Sequence, residues 1–262
     1  MTRAITFDVW ETLITDPPEL ARNRTEARIK GMGNVLRRTG WRDSDEDLLK
    51  AYQASFEVYD RFWRVNLGIN SDEQVKIILD LAWPDRDGKL DPLIWSDLVA
   101  AYVDPIFEFP PSPRDGVLDC LRAVKEQGFR LGLICNTGRT PGWAVRQLLA
   151  SLKILDHFDV LAFSDEEGIC KPDPLIFRRV IGALGVEPAD AVHIGDNIIT
   201  DIGGAKGVGM KAVLIGPQIP EGAPVAPDAH IVAMSDLVPL LPGLFDGQPR
   251  ASTAISEPTR GT

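Results

Sequence analysis

The 262-residue chain is 44% hydrophobic and 25% charged, the proportions of a globular protein large enough for one sizeable core or a core with a smaller companion. Its 28 Lys and Arg stand against 38 Asp and Glu, a net charge of −10 that disfavours nonspecific binding to nucleic acid or to an anionic membrane. No apolar run approaches the roughly 20 residues of a membrane helix, Asp8 interrupts the N-terminal apolar run before it reaches secretory-signal length, and Cys120, Cys135 and Cys170 show no metal-ligand spacing, so a reducing cytoplasm is the expected setting.

Ala4-Ile5-Thr6-Phe7 is a short apolar run ending at Asp8, which predicts a buried strand delivering a carboxylate at its C-terminal end. From about Pro17 to Tyr102 the pattern is helical. Leu48, Tyr52, Phe56, Tyr59 and Trp63 recur at helical spacing and mark one face. Ser71 with Gln74 predicts a capping box, followed by a second stripe at Val75, Ile78, Leu79 and Ala82. Leu93, Ile94, Leu98, Ala101 and Tyr102 make a third. The stretch from Asp104 to Pro113 holds four prolines in ten residues, a composition that stops helices and stiffens a linker.

Helix and strand signals then alternate. Helices are predicted over 116–127, 174–184 and 198–207, with another opening at a Thr140 cap followed by Pro141. Strands are predicted over 129–134, 159–163, 191–194, 213–215 and 230–232. Such alternation implies a Rossmann-like parallel sheet with helices on both faces, an α/β core. The expected organisation is a core of residues 1–16 and 104–246, an inserted all-helical cap domain over 17–103, and a polar, disordered tail over 247–262. A helical unit inserted after the first strand would sit over the carboxyl ends of the strands, where open α/β sheets bind ligands.

Four short segments spread along the chain carry polar residues, three of them at predicted strand ends and one just before a predicted helix: Phe7-Asp8-Val9-Trp10-Glu11-Thr12-Leu13, Leu133-Ile134-Cys135-Asn136-Thr137, Lys171-Pro172-Asp173-Pro174, and His193-Ile194-Gly195-Asp196-Asn197-Ile198-Ile199-Thr200-Asp201. In this order the set resembles motifs I to IV of the haloacid dehalogenase (HAD) superfamily of hydrolases, over residues 1 to 245. The resemblance implies the HAD fold with Asp8 as nucleophile and Lys171 as the cation that neutralises it and the bound anion. It implies phosphate or substrate binding around Trp10, Cys135, Asn136 and Thr137. It also implies Mg²⁺ held by Asp8, the backbone carbonyl of Trp10, Asp196 and Asp201, and hard oxygen donors of this kind suit that ion. The expected partner is a small, phosphorylated metabolite; oligomeric state is not legible.

Two positions depart from the phosphatase pattern. Trp10 stands where these phosphatases carry a second Asp as general acid and base, a group that typically contributes about 10²- to 10⁴-fold. An indole N–H cannot supply that proton, and on an extended strand Glu11 would point to the other face. Cys135 replaces the usual Ser or Thr and reads as an inert buried thiol. An aromatic residue at position 10 also resembles the true haloacid dehalogenases, which work without metal and carry a halide-receiving Arg in the cap helix. Leu48 to Asp60 contains none, although Arg22, Arg24 and Arg28 lie nearer Asp8. The leading expectation is a Mg²⁺-dependent phosphatase acting through an aspartyl-phosphate. The alternatives are a 2-haloacid dehalogenase-type hydrolase and a weakly active homologue that binds a phosphorylated ligand. The stripe of Tyr52, Phe56, Tyr59 and Trp63 reads mainly as helix packing, Arg61 and Arg64 as solvated, and His157 and His193 as structural.

Overall fold

The computed structural model describes residues 2–40, 45–84 and 90–245; the stretch 247–262, expected to be a tail, lies outside them. Strand β1 (Ala4–Phe7) is buried along its whole length. After Asp8 the chain turns tightly, with the N–H groups of Leu13 and Ile14 both donating to the Val9 carbonyl at 2.9 and 3.1 Å, and then forms the two-residue strand β2 (Ile14–Thr15). Four helices follow: α1 (Pro18–Arg38), α2 (Asp45–Arg64), α3 (Ser71–Ala82) and α4 (Pro92–Val103). Helix α1 packs on α4 and α2 on α3. The chain returns through the one-turn helix α5 (Pro105–Glu108) and through β3 (Ser112–Pro113), which pairs antiparallel with β2. The outgoing and returning chains are thus hydrogen-bonded side by side, which fixes where the inserted helical unit meets the core.

Beyond β3 come α6 (Val117–Glu126), β4 (Arg130–Cys135), α7 (Gly142–Ser151), β5 (Val160–Phe163), α8 (Ser164–Glu167), α9 (Pro174–Leu184) and β6 (Ala191–Gly195). A π-helical turn, Ile198–Gly203, runs into α10 (Gly204–Gly207), followed by β7 (Lys211–Ile215), β8 (Ala229–Ile231) and α11 (Leu237–Phe245). The main sheet is parallel throughout, in the order β5-β4-β1-β6-β7-β8. Ile5, Phe7, Leu133 and Ile194 pack to one side with residues of α6, α7 and α11, while Ala4, Ile134 and Leu214 pack to the other with residues of α9 and α10. Burial on both faces explains why the inner strands read as apolar runs rather than as alternation.

Several local expectations shift. On α2 the buried set is Leu48, Ala51, Tyr52, Ser55 and Tyr59, while Phe56 is 55% exposed. Two successive steps of four residues carry a side chain about 80° around the helix, so Ser55 rather than Phe56 completes the face. Leu93, expected in the α4 stripe, is 77% exposed, whereas Leu98 and Tyr102 are fully buried. The capping box on α3 belongs to Asn70 and Glu73, one residue before the expected pair. Helix α7 starts at Gly142 without a side-chain cap from its N-cap residue. Its first amide instead donates to the Asp165 carboxylate at 3.0 and 3.1 Å. The proline-rich return is not helix-free, because Pro105 occupies the first position of α5, where a missing N–H costs nothing.

Candidate active site

Strands β4, β1 and β6 are adjacent and parallel, so their carboxyl ends share one rim. That topology brings Asp8, Cys135 and Asp196 side by side. Lys171 arrives from the segment between α8 and α9, and its Nζ lies 2.5 Å from Asp8 Oδ1 and 2.7 Å from Asp201 Oδ1. All three are deeply buried: Asp8 is 6% exposed, Lys171 2% and Asp201 1%. Asp201 Oδ1 also lies 3.2 Å from His193 Nε2, and its Oδ2 accepts from the Asn197 N–H at 2.9 Å. The other His193 nitrogen, Nδ1, is 2.8 Å from Thr6 Oγ1. Gly195 is required here, since a Cβ on it would lie 2.3 Å from Asp201 Cγ.

One ammonium serves three carboxylates. Burial raises the Asp8 carboxyl to about 7, with Lys171 opposing and Asp201 adding to the rise. Asp196, at the exposed edge of the group, is raised to about 6 by desolvation and by Asp201. Against the penalty of burial, Lys171 and His193 hold Asp201 well below the usual carboxylate range. Burial likewise disfavours the Lys171 ammonium, but Asp201 and Asp8 keep it charged and raise its pKa. The cluster is therefore short of positive charge. Asp8, Asp196 and Asp201 each offer an oxygen, and these atoms lie within 4.8 Å of one another, a hard-donor set that fits a small divalent cation. Both Asp201 oxygens are already engaged by donors, so this residue fits the role of orienting its neighbours or bound water, while Asp8 and Asp196 keep oxygens available.

The polar side chains after β4 have protein partners. The Asn136 amide clamps the Lys171 peptide, donating to its carbonyl at 2.9 Å and accepting from its N–H at 2.8 Å. The Thr137 N–H donates to Ser164 Oγ at 3.0 Å, and the two hydroxyls lie 3.1 Å apart. Both side chains brace the scaffold around Lys171 and β5, and both border the cavity beside Trp10. Cys135 is fully buried, and desolvation, with Asp8 adding, pushes its thiol well above the ordinary range. Glu11 does not lie on an extended strand: its φ is 54°, and its carboxylate accepts from the Asp16 N–H at 2.9 Å. It is turned away from position 10 by a left-handed turn rather than by strand alternation.

Two cavities flank this rim between the helical unit and the core. One, of about 490 Å³, is lined by Lys171, Pro172, Trp63, Arg64 and Ile199. The other, of about 420 Å³, is lined by Trp10, Asp16, Arg24, Arg28, Tyr52 and Arg139. Asn136 and Gly138 border both. Gln74 Nε2 donates to the Gly138 carbonyl at 2.8 Å, and Arg139 Nη2 to the Tyr52 carbonyl at 3.0 Å, so the helices are bonded to the loop after β4. A second tie runs through backbone alone, from Gly68 N–H to the Gly168 carbonyl at 3.2 Å and from Cys170 N–H to the Asn66 carbonyl at 3.0 Å. Of the aromatic stripe, Tyr52 and Trp63 reach a cavity, one each. Arg139, Ser164 and the His193 contact are what sequence reasoning missed, while Arg24 and Arg28 were noted there only for their nearness to Asp8 in the chain. Arg24 and Arg28 carried a usable signal, since their i, i+4 spacing continues the inward face of α1 that holds Met32 and Leu36.

The profile of the haloacid dehalogenase-like hydrolases matches residues 2–209. The chain belongs to this family. It is 32% identical over 221 residues to a glyceraldehyde 3-phosphate phosphatase of Methanopyrus kandleri, covering 82% of this chain and 84% of the relative. It is 37% identical over 133 residues to the human haloacid dehalogenase-like hydrolase domain-containing protein 3, where the match covers 50% of this chain and spans about half, 51%, of the relative's length. Its fold is also that of a 2-haloacid dehalogenase from Pseudomonas syringae pv. Tomato, with a TM-score of 0.66 at 22% identity over 94% of this chain and 99% of the other.

Proposed function

We propose that this HAD-like hydrolase cleaves a phosphate monoester of a small metabolite through an aspartyl-phosphate at Asp8. The observation that carries the reading is the cation-deficient group at the buried nucleophile: Lys171 is shared between Asp8 and Asp201, with Asp196 beside them. Attack on carbon by a carboxylate would gain nothing from a further cation, whereas a carboxylate approaching a phosphoryl dianion needs the repulsion screened. The phosphatase relative that aligns over most of the chain supports the same choice.

In the first step an Asp8 oxygen bonds to phosphorus and the ester P–O bond breaks, releasing the alkoxide, which takes its proton from solvent. In the second, water attacks phosphorus, the acyl P–O bond breaks, and inorganic phosphate leaves with the Asp8 carboxylate restored. Lys171 holds the nucleophile in place and offsets charge as it develops, and Asn136 fixes the Lys171 backbone. Mg²⁺, held by Asp8, the Trp10 backbone carbonyl and Asp196 with Asp201 in support, would supply the remaining positive charge. Trp10 has no proton to give the departing alkoxide, so the reading favours substrates with good leaving groups, or slow turnover. The four inserted helices act as a cap that admits substrate and then excludes water, a gating role usual for such lids. Opening breaks the Gln74–Gly138 and Arg139–Tyr52 bonds.

The test is phosphate release from a panel of small phosphomonoesters with Mg²⁺, using Asp8→Asn as control. Release by the wild type and none by the variant is expected; equal release by both overturns the proposal. One observation favours a second reading, dehalogenation of a 2-haloacid. Arg24 and Arg28 line the cavity that Trp10 borders, so the lack of arginine between Leu48 and Asp60 does not leave that space without cations. Halide release unaffected by EDTA would select this alternative.

A further inference from the structure

We propose that the substrate carries a second oxyanion at its non-scissile end, and that Arg28 and Arg139 receive it in the cavity beside Trp10. This rests on the phosphomonoester reading above and names the substrate class for that same site.

Arg28 is 4% exposed. Its Nε donates to the Tyr102 carbonyl at 2.7 Å and its Nη1 to the Tyr52 hydroxyl at 3.1 Å. The Arg139 guanidinium, half-buried, lies 3.9 Å from the Tyr52 ring centroid and 5.0 Å from that of Tyr59. Its donors go to the Tyr52 carbonyl at 3.0 Å, Ser55 Oγ at 3.3 Å and the Tyr102 hydroxyl at 3.4 Å. Every one of these acceptors is neutral. Among the described residues neither arginine has a carboxylate partner, although Arg24 pairs with Asp16, Arg146 with Glu166 and Lys206 with Asp228.

An unpaired buried charge is costly, and an apolar side chain of similar size would serve helix packing better. Arg28 is such a charge, and the half-buried Arg139, although it ties α2 to the loop after β4, adds a second cation without a carboxylate at the same cavity; an anion that arrives with the ligand accounts for both. Burial disfavours ionisation of the Tyr52 phenol, yet Arg28 and Arg139 pull it below its ordinary range, which shows the sign of the local potential. Asp16 does not cancel that potential, because it is matched by Arg24. A guanidinium presents five donors in a planar fork suited to carboxylate or phosphate oxygens, and Arg28 spends two of them on protein. The cavity of about 420 Å³ takes a compact group. It shares Asn136 and Gly138 with the cavity that holds Lys171, so one small molecule can present a phosphoryl group on one side of this wall and a second oxyanion on the other.

The experiment uses the full chain and three probes built on one propyl chain: propyl phosphate, and its analogues bearing a carboxylate or a second phosphate on the far carbon. Equilibrium titration of Asp8→Asn with each probe, in Mg²⁺, reads binding without turnover. At least one analogue with an oxyanion at its far end is expected to bind about tenfold or more tighter than propyl phosphate, the size of a charge-assisted bond; which of the two wins identifies the oxyanion. In Arg139→Met built on the same background the advantage shrinks to within about twofold, and Arg139→Lys retains part of it. Circular dichroism confirms that the variants fold; if Arg139→Met does not, Arg28→Lys, which should cut the advantage severalfold, stands in for it. Equal binding of all three probes, or an advantage untouched in the folded variants, overturns the inference. Wild-type phosphate release from the same probes tests the underlying reading separately: tight, selective binding without any release would leave the pocket standing and sink the phosphatase.

Discussion

Replacing Lys171 with Met isolates the charge balance on which the site depends. The ammonium sits 2.5 Å from Asp8 and 2.7 Å from Asp201, with all three side chains nearly inaccessible. Coulomb's law at an effective dielectric of about 20 puts each contact at roughly 6 kcal/mol, an upper bracket because ion desolvation opposes it. Breaking a buried pair by removing one partner costs about 3–5 kcal/mol. The carboxyl of Asp8 is already raised to about 7, so without Lys171 it takes up a proton near neutrality and relieves part of the repulsion. The expected loss is therefore about 3 kcal/mol, the lower end of that range. For a chain of this size it is a fall of roughly 6–12 °C in Tm. Urea unfolding in EDTA, followed by the fluorescence of the six tryptophans, measures it. Lys206→Met is the control, since its partly exposed pair with Asp228 at 2.9 Å should contribute less than about 1 kcal/mol. A loss below about 1 kcal/mol in Lys171→Met would show that the two carboxylates do not depend on this cation.

Mg²⁺ should stabilise the wild type by about 2.7 kcal/mol at one hundred times its Kd, and Asp196→Asn should largely abolish the shift; a thermal melt unchanged by Mg²⁺ in the wild type refutes the metal assignment. Trp10→Asp should raise kcat on propyl phosphate about 10²-fold or more if the missing acid limits turnover, and an unchanged rate in a folded variant dismisses that explanation. Gly68→Ala would place a Cβ 1.9 Å from the Ser164 carbonyl oxygen, pushing the chain that ties the helices to the core. Hydrogen exchange at the Gly68 and Cys170 amides should accelerate at least tenfold, and unaltered protection would show that this tie tolerates the displacement.

The sheet was legible because its inner strands are largely apolar runs, and the three that meet at the site are followed by a polar residue. Phe7-Asp8 and Gly195-Asp196 close β1 and β6, and parallel neighbours end at one rim. The meeting of Lys171 with Asp8 followed from the motif order, and the 2.5 Å contact agrees with it. The partners of Asn136 and Thr137 were not legible, because an amide or hydroxyl side chain can satisfy many acceptors and these reach Lys171 and Ser164, more than 25 residues away. The cap of α3 was ambiguous in principle: Asn70 with Glu73 and Ser71 with Gln74 overlap in one stretch and both match the pattern. Strands β2 and β3 hold two residues each, too few for any periodicity. Helix α11 contains Pro242, which reads as a breaker. Lack of a counter-ion, the decisive property of Arg28 and Arg139, exists only in three dimensions.

Trp10 connects the two halves of the site. It lines the arginine cavity and not the one that holds Lys171, so a carboxylate at position 10 would face guanidiniums as well as the reacting group. In a relative with Asp there, part of the arginine charge would be answered from within the protein. In this chain the neutral indole leaves it unanswered and open to the ligand. On the phosphatase reading proposed above, an indole in place of a carboxylate would remove the general acid and strengthen the electrostatic hold on a second oxyanion, trading a faster chemical step for selectivity. Trp10→Asp should then move two quantities in opposite directions. Turnover of propyl phosphate should rise while the binding advantage of its analogues with a second oxyanion falls severalfold, because the new carboxylate competes for Arg28 or Arg139. A variant in which rate and selectivity rise together would separate the two cavities and confine position 10 to the chemistry at Asp8.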